Sequence, residues 1–394
     1  MHKLLLFNPS NDMALAANLL GYLPPQHIRR MESDLALLPL WWAEEDDCIL
    51  MPDASVRRVT AEALALLASF VRECHTVGAD ELAAVHSLLP VVDNVEDALR
   101  QYVPVPWGWN MSLRRDLLRL GMAAENMPSD EELAEWRMLS SRAFACDFMA
   151  DLQRDARAEG WNGSLVGQNM RMATENVFDD ASVQSHPLVF KTPWSSSGKG
   201  VFVENFGKLL NGNRIDNSIR LFGSVLVDDF YEDKLLDFAL EFCVGPGAGH
   251  EDRAEFLGYS VFQASERGHY GHNVVAPQAE LERLILATGL DEALLHRVVD
   301  YAACHLASML GGRYYGCLGI DMLVCRHEGR VMLHPCIEIN LRRNMGILAL
   351  NLYSRLSAMG AAVSSSHNIL LAGNSVTGFS VVLRGNSLFI DYKK

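Results

Sequence analysis

The chain has 394 residues, of which 49% are hydrophobic and 21% charged, and its formal net charge is −15. This is the composition of an ordinary globular protein, long enough for two or three domains. Its acidity excludes non-specific binding to nucleic acid or to an anionic membrane surface. The eight cysteines include no Cys-x-x-Cys pair, so neither a zinc knuckle nor a disulfide framework is expected, and free thiols fit a reducing cytoplasm.

Lys3 to Phe7 is a short apolar run, as expected of a strand buried on both faces. Asn8-Pro9-Ser10-Asn11-Asp12 interrupts it too early for a signal segment, and no stretch is apolar enough to span a membrane, so a cytoplasmic location is expected. A helix over Met13–Leu20 follows, then a strand at Cys48–Met51, a helix from about Arg57 to Arg72 and a short element at Cys74–Val77. Alternating strands and helices predict a doubly wound α/β unit, whose ligands sit at the carboxyl ends of strands. Asn8 and Asn11 lie at such an end and are substrate candidates; turn chemistry with a helix cap at Asn11 or Asp12 accounts for them equally well. Val103-Pro-Val-Pro-Trp-Gly-Trp109 reads as a rigid connector or substrate-side loop.

Ser129-Asp-Glu-Glu132 is a capping box that opens a new helical stretch, and a further helix follows Ser140-Ser141 as far as about Ala158. Strands are predicted at Leu188–Lys191, Gly200–Glu204, Ser224–Phe230, Phe238–Val244 and Ala254–Gln263, and helices at Ala279–Ala287 and Asp291–Met309. Between the strands and helices, Ser265-Glu-Arg-Gly-His-Tyr-Gly-His-Asn273 is either a plain connection or an acceptor loop using Arg267, His269, Tyr270 and Asn273.

Two segments carry chemistry. The first is Leu188-Val-Phe-Lys191-Thr-Pro-Trp-Ser195-Ser196-Ser197-Gly198-Lys199-Gly200. Its small residues let backbone N–H groups approach an anion closely, and Lys191 and Lys199 add charge. It is not a Walker A loop: Pro193 stands where the first glycine would be, and a strand follows instead of a helix. A flexible β-turn is the competing reading. The second segment is a hairpin of Gly316–Cys325 and Val331–Asn340. A turn centred on Glu328-Gly329 pairs Asp321 with Cys336 and Gly319 with Glu338, so that Asp321, Glu338 and Asn340 share a face. Two carboxylates and an amide oxygen suit Mg²⁺; a solvated acidic face is the alternative. Pro335 points to an edge or a bulge, and a one-residue bulge would flip the parity.

Taken in order, Lys191, the small-residue loop, the acidic segment Val225-Leu-Val-Asp228-Asp229-Phe230, Asp321 and Pro335-Cys-Ile-Glu338-Ile-Asn340-Leu-Arg342 resemble the ATP-grasp superfamily over residues 136–394. The resemblance implies an α/β and α+β chain. An N-terminal Rossmann-like pre-ATP-grasp domain (1–130) would precede a two-subdomain ATP-grasp fold, divided as 131–235 and 236–394. It further implies ATP and Mg²⁺ as cofactors and a ligase that joins a small-molecule carboxylate to an amine. By resemblance, Lys191, Ser195, Ser196, Ser197, Gly198 and Lys199 hold phosphates and Asp228 lies in the adenine hinge. Asp229 or Asp233 holds the ribose; Asp321, Glu338 and Asn340 hold the metal; Arg342 sits near the transferred phosphate.

Two positions depart from the family pattern. Arg142 stands where the family usually has an early phosphate lysine, and Gly319 where D-alanine–D-alanine ligase-like members carry an Arg, a role left to Arg342 or Arg343. A kinase and a non-catalytic nucleotide-binding protein are the alternatives to a ligase.

Overall fold

In a computed structural model of the chain, the described residues are 3–36, 38–44, 47–50, 102–175, 187–195, 200–204, 212–247, 252–264, 270–358, 369–373, 378–384 and 387–393. They belong to two compact units, Met1–Ala134 with His272–Pro277 and Ile347–Lys394, and Glu135–Gly271 with Gln278–Gly346. The expected boundary between residues 235 and 236 runs inside the second unit. The predicted elements at 57–72 and 74–77 lie outside the described residues.

The first unit contains a parallel sheet in the order β2-β1-β3, from β1 (Lys3–Leu6), β2 (Cys48–Ile49) and β3 (Val103–Pro106). Helices α1 (Asn11–Ala17), α2 (Gln26–Asp34) and α3 (Met111–Arg119) accompany it. Leu4, Leu5 and Leu6 are all buried, as a strand covered on both faces requires. Val103–Pro106 is therefore not the expected connector but a strand. Its two prolines are tolerated because β3 is the sheet edge among the described residues, where missing donors face no partner. At the start of α1, Ser10 and not Asn11 or Asp12 takes the cap position, without a capping bond, and its hydroxyl donates to Glu32. No helix among the described residues is long and apolar enough to cross a membrane.

Helix α4 (Asp130–Leu139) opens with the predicted box: Glu132 N–H donates to Ser129 Oγ at 3.1 Å and Ser129 N–H to Glu132 Oε2 at 2.7 Å. In the second unit, helix α5 (Arg142–Glu159) starts at Ser141, whose hydroxyl caps Ala143 N–H, and ends at Gly160 in the left-handed region (φ 77°). Ala145, Phe148, Met149, Leu152 and Ala156 form its fully buried stripe at helical spacing. Each of the larger side chains contributes roughly 1.5–3 kcal/mol by burial. That stripe packs against the carboxylate hairpin and fixes where Arg142, in the first turn, must point.

Two antiparallel sheets complete this unit. The first has the order β4-β7-β5-β6, from β4 (Arg171–Ala173), β5 (Leu188–Lys191), β6 (Val201–Glu204) and β7 (Val225–Asp229). One of its faces buries Leu188, Phe190, Phe202, Val225 and Val227 with Ile215 of helix α6 (Gly212–Phe222). Period two therefore puts Lys191, Leu226 and Asp228 on the other face. The second sheet runs β12-β11-β8-β9, from β8 (Lys234–Pro246), β9 (Asp252–Ala264), β11 (Gly316–His327) and β12 (Arg330–Asn340). Helices α7 (Gln278–Leu286) and α8 (Glu292–Leu310) pack against β9. The chain thus has the expected class, α/β followed by α+β.

Candidate functional site

The hairpin closes through Glu328 (φ 50°) and Gly329 (φ 74°), two left-handed residues, as a two-residue turn requires. His327 pairs with Arg330, and the ladder keeps that register as far as Leu323–His334. Beyond it the pairing shifts: Asp321 faces Glu338 and Gly319 faces Asn340, not Cys336 and Glu338 as expected from the turn alone. The irregularity spans Pro335–Ile337 opposite Met322, and the missing N–H of Pro335 suits the sheet edge formed by β12. Because the shift amounts to two residues, parity survives. Asp321, Glu338 and Asn340 do share a face, and Gly319 with Glu241 of β8 lies on it too.

Arg142, only 4% exposed, reaches this face from α5. Its guanidinium donates to Glu338 Oε1 at 2.8 Å, to Ser195 Oγ at 2.9 Å and to the Thr192 carbonyl. One arginine thus ties the stem of the small-residue loop to the hairpin, and its Nε, also buried, has no hydrogen-bond partner. Lys191 arrives from β5, is equally buried, and donates from Nζ to the Ile337 carbonyl at 3.2 Å. Burial and then the Arg142 charge hold the Lys191 ammonium below its ordinary value, while Glu338, Asp228 and Asp321 pull the other way.

The loop stem is closed by Thr192 N–H donating to the Gly200 carbonyl. Gly200 is left-handed (φ 79°), and a Cβ there would meet Thr192 Oγ1 at 2.4 Å. Trp194 donates from its indole to the Arg137 carbonyl while the Arg137 guanidinium lies 3.8 Å from the ring centre, which pins the stem to the end of α4. Ser196, Ser197, Gly198 and Lys199 lie outside the described residues.

Asp321 is pushed well above its ordinary value by burial, then by the charges of Glu338 and Glu241, against Arg342 and a hydrogen bond from Asn340. Asn340 Nδ2 donates to Asp321 Oδ2 at 3.0 Å, and Asn340 Oδ1 accepts from Arg342 at 3.0 Å. Arg342 also donates to the Arg343 carbonyl. Among the described residues no group of three or more His, Cys, Asp or Glu side chains is placed to hold a metal alone. Two carboxylates, one amide oxygen and added phosphate oxygens are the hard-donor set that Mg²⁺ takes, usually with few protein ligands. The crowded carboxylates of Asp321 and Glu338 fit a divalent cation for the same electrostatic reason that Asp321 holds its proton.

Glu241 escaped the sequence reading. It is 1% exposed, accepts from Ser260 Oγ and Asn344 Nδ2 at 2.7 Å each, and is pushed up to about 7 by burial. Its signal was available: a single carboxylate inside the apolar run Phe238-Ala-Leu-Glu241-Phe-Cys-Val244. A raised carboxyl binds its proton better in the folded state, so its contribution is fully present below the unfolded value near 4.5 and is lost as pH rises through about 7. Glu241→Gln should remove that slope. Between pH 5 and 8, thermal unfolding of the nucleotide-free wild type should lose stability relative to the variant, by an amount of the order of 3 kcal/mol. A pH-independent difference would show that Glu241 is not buried as described.

His334 was also missed. Fully buried, it shares a 2.8 Å hydrogen bond between Nε2 and Asp228 Oδ2, and Tyr231 packs edge-on against its ring. Asp228 is therefore engaged inside the protein. Asp229 accepts from Asn169 at 2.9 Å, whereas Asp233 is exposed and lies 3.6 Å from Arg326.

The remaining substrate candidates have these surroundings within their own units. Asn8 donates to the Gly108 carbonyl and accepts from Gly108 N–H, and Asn11 is 2% exposed against Asn110. A Cβ at Gly108 would stand 2.5 Å from Asn11 Cγ, so this close approach requires glycine. Both asparagines hold their own turn. Tyr270 and Asn273 lie in strand β10 (Tyr270–Val275) instead of a loop, Asn273 is 1% exposed, and Arg267 and His269 fall outside the described residues.

No family model and no curated protein matches the chain. Among solved structures it is similar to a Rhizobium etli pyruvate carboxylase with 16% identity over 56% of the chain and a TM-score of 0.39, and it spans 17% of that protein. With the ADP complex of Staphylococcus aureus N5-carboxyaminoimidazole synthetase it shares 12% identity over 66% of each chain, at a TM-score of 0.35. With a Campylobacter jejuni biotin carboxylase–ATP analogue complex it shares 14% identity over 99% of this chain and 87% of that one, at 0.47. The chain's own topology puts the Lys191 strand on one antiparallel sheet and the carboxylate hairpin at the edge of another.

Proposed function

We propose that the chain is an ATP- and Mg²⁺-dependent ligase that joins a small-molecule carboxylate to an amine through an acyl phosphate. The observation that carries this reading is the convergence of Arg142, Lys191 and the loop stem on the Asp321–Glu338 face. A nucleotide triphosphate needs buried positive charge on one side and a metal-holding acidic face on the other, and here one arginine spans both.

In this reading Asp321, Glu338 and Asn340 would hold Mg²⁺, which when bound screens the charge of the terminal phosphates. Arg142 and Lys191 lie in a water-poor setting, where fixed charges stabilise a developing negative charge more strongly than they would in water. The stem, closed between Thr192 and Gly200, anchors the two ends of the segment proposed to hold the phosphates. Arg342, held by Asn340, would orient an anionic acceptor. Asp229, at the end of β7, is the better ribose candidate because Asp233 lies beside Arg326 at the surface.

An acceptor carboxylate oxygen attacks the terminal phosphorus as the bond to ADP breaks. An amine then attacks the acyl carbon, loses a proton, and phosphate departs. No side-chain nucleophile is required.

ADP and phosphate should be released only when an acid and an amine are supplied together, with the coupled product identified by mass spectrometry across a panel of amino acids and dipeptides. A stable phosphorylated product from one substrate alone would mark a kinase instead. Mg²⁺-independent binding of ATP without turnover over the whole panel would mark a non-catalytic nucleotide-binding protein.

A further inference from the structure

Cys243 of β8 and Cys317 of β11 stand directly opposite each other in the antiparallel ladder. They are one pleat beyond the Glu241–Gly319 pair, and alternation places them on its face. Directly opposed residues of antiparallel strands have Cα atoms about 4.5–5.5 Å apart, inside the window of roughly 4.4–6.8 Å that a disulfide accepts. Both thiols are free and partly exposed, whereas Cys48, Cys146, Cys325 and Cys336 are buried. The neighbouring Cys243 thiol and then the Arg343 charge, against burial, draw the Cys317 thiol down to about 6, while Cys243 is raised.

We propose that Cys243 and Cys317 form a redox-modification site, which low-molecular-weight disulfides of the glutathione type convert to an intrachain disulfide. The Cys317 thiolate attacks one sulfur of the small disulfide and expels one thiolate. Cys243 then releases its proton to solvent and attacks Cys317 Sγ, expelling the second thiolate. Two protein thiols are oxidised and one small disulfide is reduced to two thiols, so no further oxidant is needed. The new bond would staple β8 to β11 beside Glu241. This inference does not depend on the proposed ligase activity.

The full chain is incubated with oxidised glutathione, its remaining thiols are blocked with N-ethylmaleimide, and it is digested without reduction for mass spectrometry. The expected product joins the Cys243 and Cys317 peptides, while exposed Cys304 carries a glutathione adduct. In Cys243→Ser, Cys317 should keep a stable glutathione adduct because the second exchange is lost. If Cys304 reacts while Cys243 and Cys317 of the wild type are recovered as free thiols, or as two separate glutathione adducts, the proposal is overturned. The wild-type digest decides this even if the serine variant does not fold.

Discussion

Glu338→Gln should lower Mg²⁺-dependent ATP turnover by roughly 10²–10³-fold, the effect of removing one electrostatic stabiliser at a transferring group, while leaving the thermal midpoint near that of the wild type. The substitution is close to isosteric. A glutamine oxygen can still accept from Arg142, so the tie between α5 and the hairpin persists. What disappears is the carboxylate that faces Asp321 across β11 and β12. Asp321 should then ionise more readily, since Glu338 is the largest charge holding its proton on. Turnover at the wild-type rate in a folded Glu338→Gln protein would remove the metal assignment from this face.

Gly319→Ala tests the other half of the site, the packing that holds Glu241 and Asn344. A Cβ on Gly319 would stand 2.2 Å from Asn344 Nδ2 and 2.6 Å from Glu241 Oε2. Both atoms belong to short side chains already committed to each other, so neither can move aside without breaking their 2.7 Å hydrogen bond. Overpacking of this kind costs about 1–3 kcal/mol. The catalytic cost should be larger, roughly 10²-fold, because displacement of about 1 Å beside Asp321 and Arg342 misplaces the reacting groups. Gly163→Ala is the control: a Cβ there meets open space, and neither stability nor turnover should change. Equal behaviour of the two variants would show that the Gly319 cradle has no role. The same geometry explains why an arginine cannot occupy position 319 here, since the space is filled by Glu241 and Asn344.

Much of this was legible in the residues because it depends on local rules. The capping box at Ser129, the lysine strand at Leu188–Lys191 and the parity of Asp321, Glu338 and Asn340 each follow from a short-range period or a hydrogen-bond pattern. Pro335 announced an irregularity, but its size is a tertiary matter. The edge position of β12 lets the ladder slip by two residues and so preserve the face. The errors came where tertiary context decides. Val103–Pro106 resembled a connector because prolines oppose strands, and an edge position removes that objection. The meeting of Gly108 with the amides of Asn8 and Asn11, about a hundred residues earlier, is likewise invisible in sequence. Ser265–Asn273 read as one polar loop, yet Tyr270–Val275 is a strand. His334 and Asp228, 106 positions apart, could not be paired from sequence at all.

The central claim is that the acidic hairpin face becomes a metal site only when phosphates complete it. The most direct measurement is calorimetric titration of a non-hydrolysable ATP analogue into the wild type and Asp321→Asn, with and without Mg²⁺, alongside titration of Mg²⁺ alone. Two protein carboxylates and one amide are too few to hold Mg²⁺ without phosphate oxygens. Mg²⁺ alone should therefore give little heat and should tighten analogue binding to the wild type by at least tenfold, about 1.4 kcal/mol, with that gain absent in Asp321→Asn. Analogue affinity indifferent to Mg²⁺ in the wild type, or a gain that survives in Asp321→Asn, would contradict it.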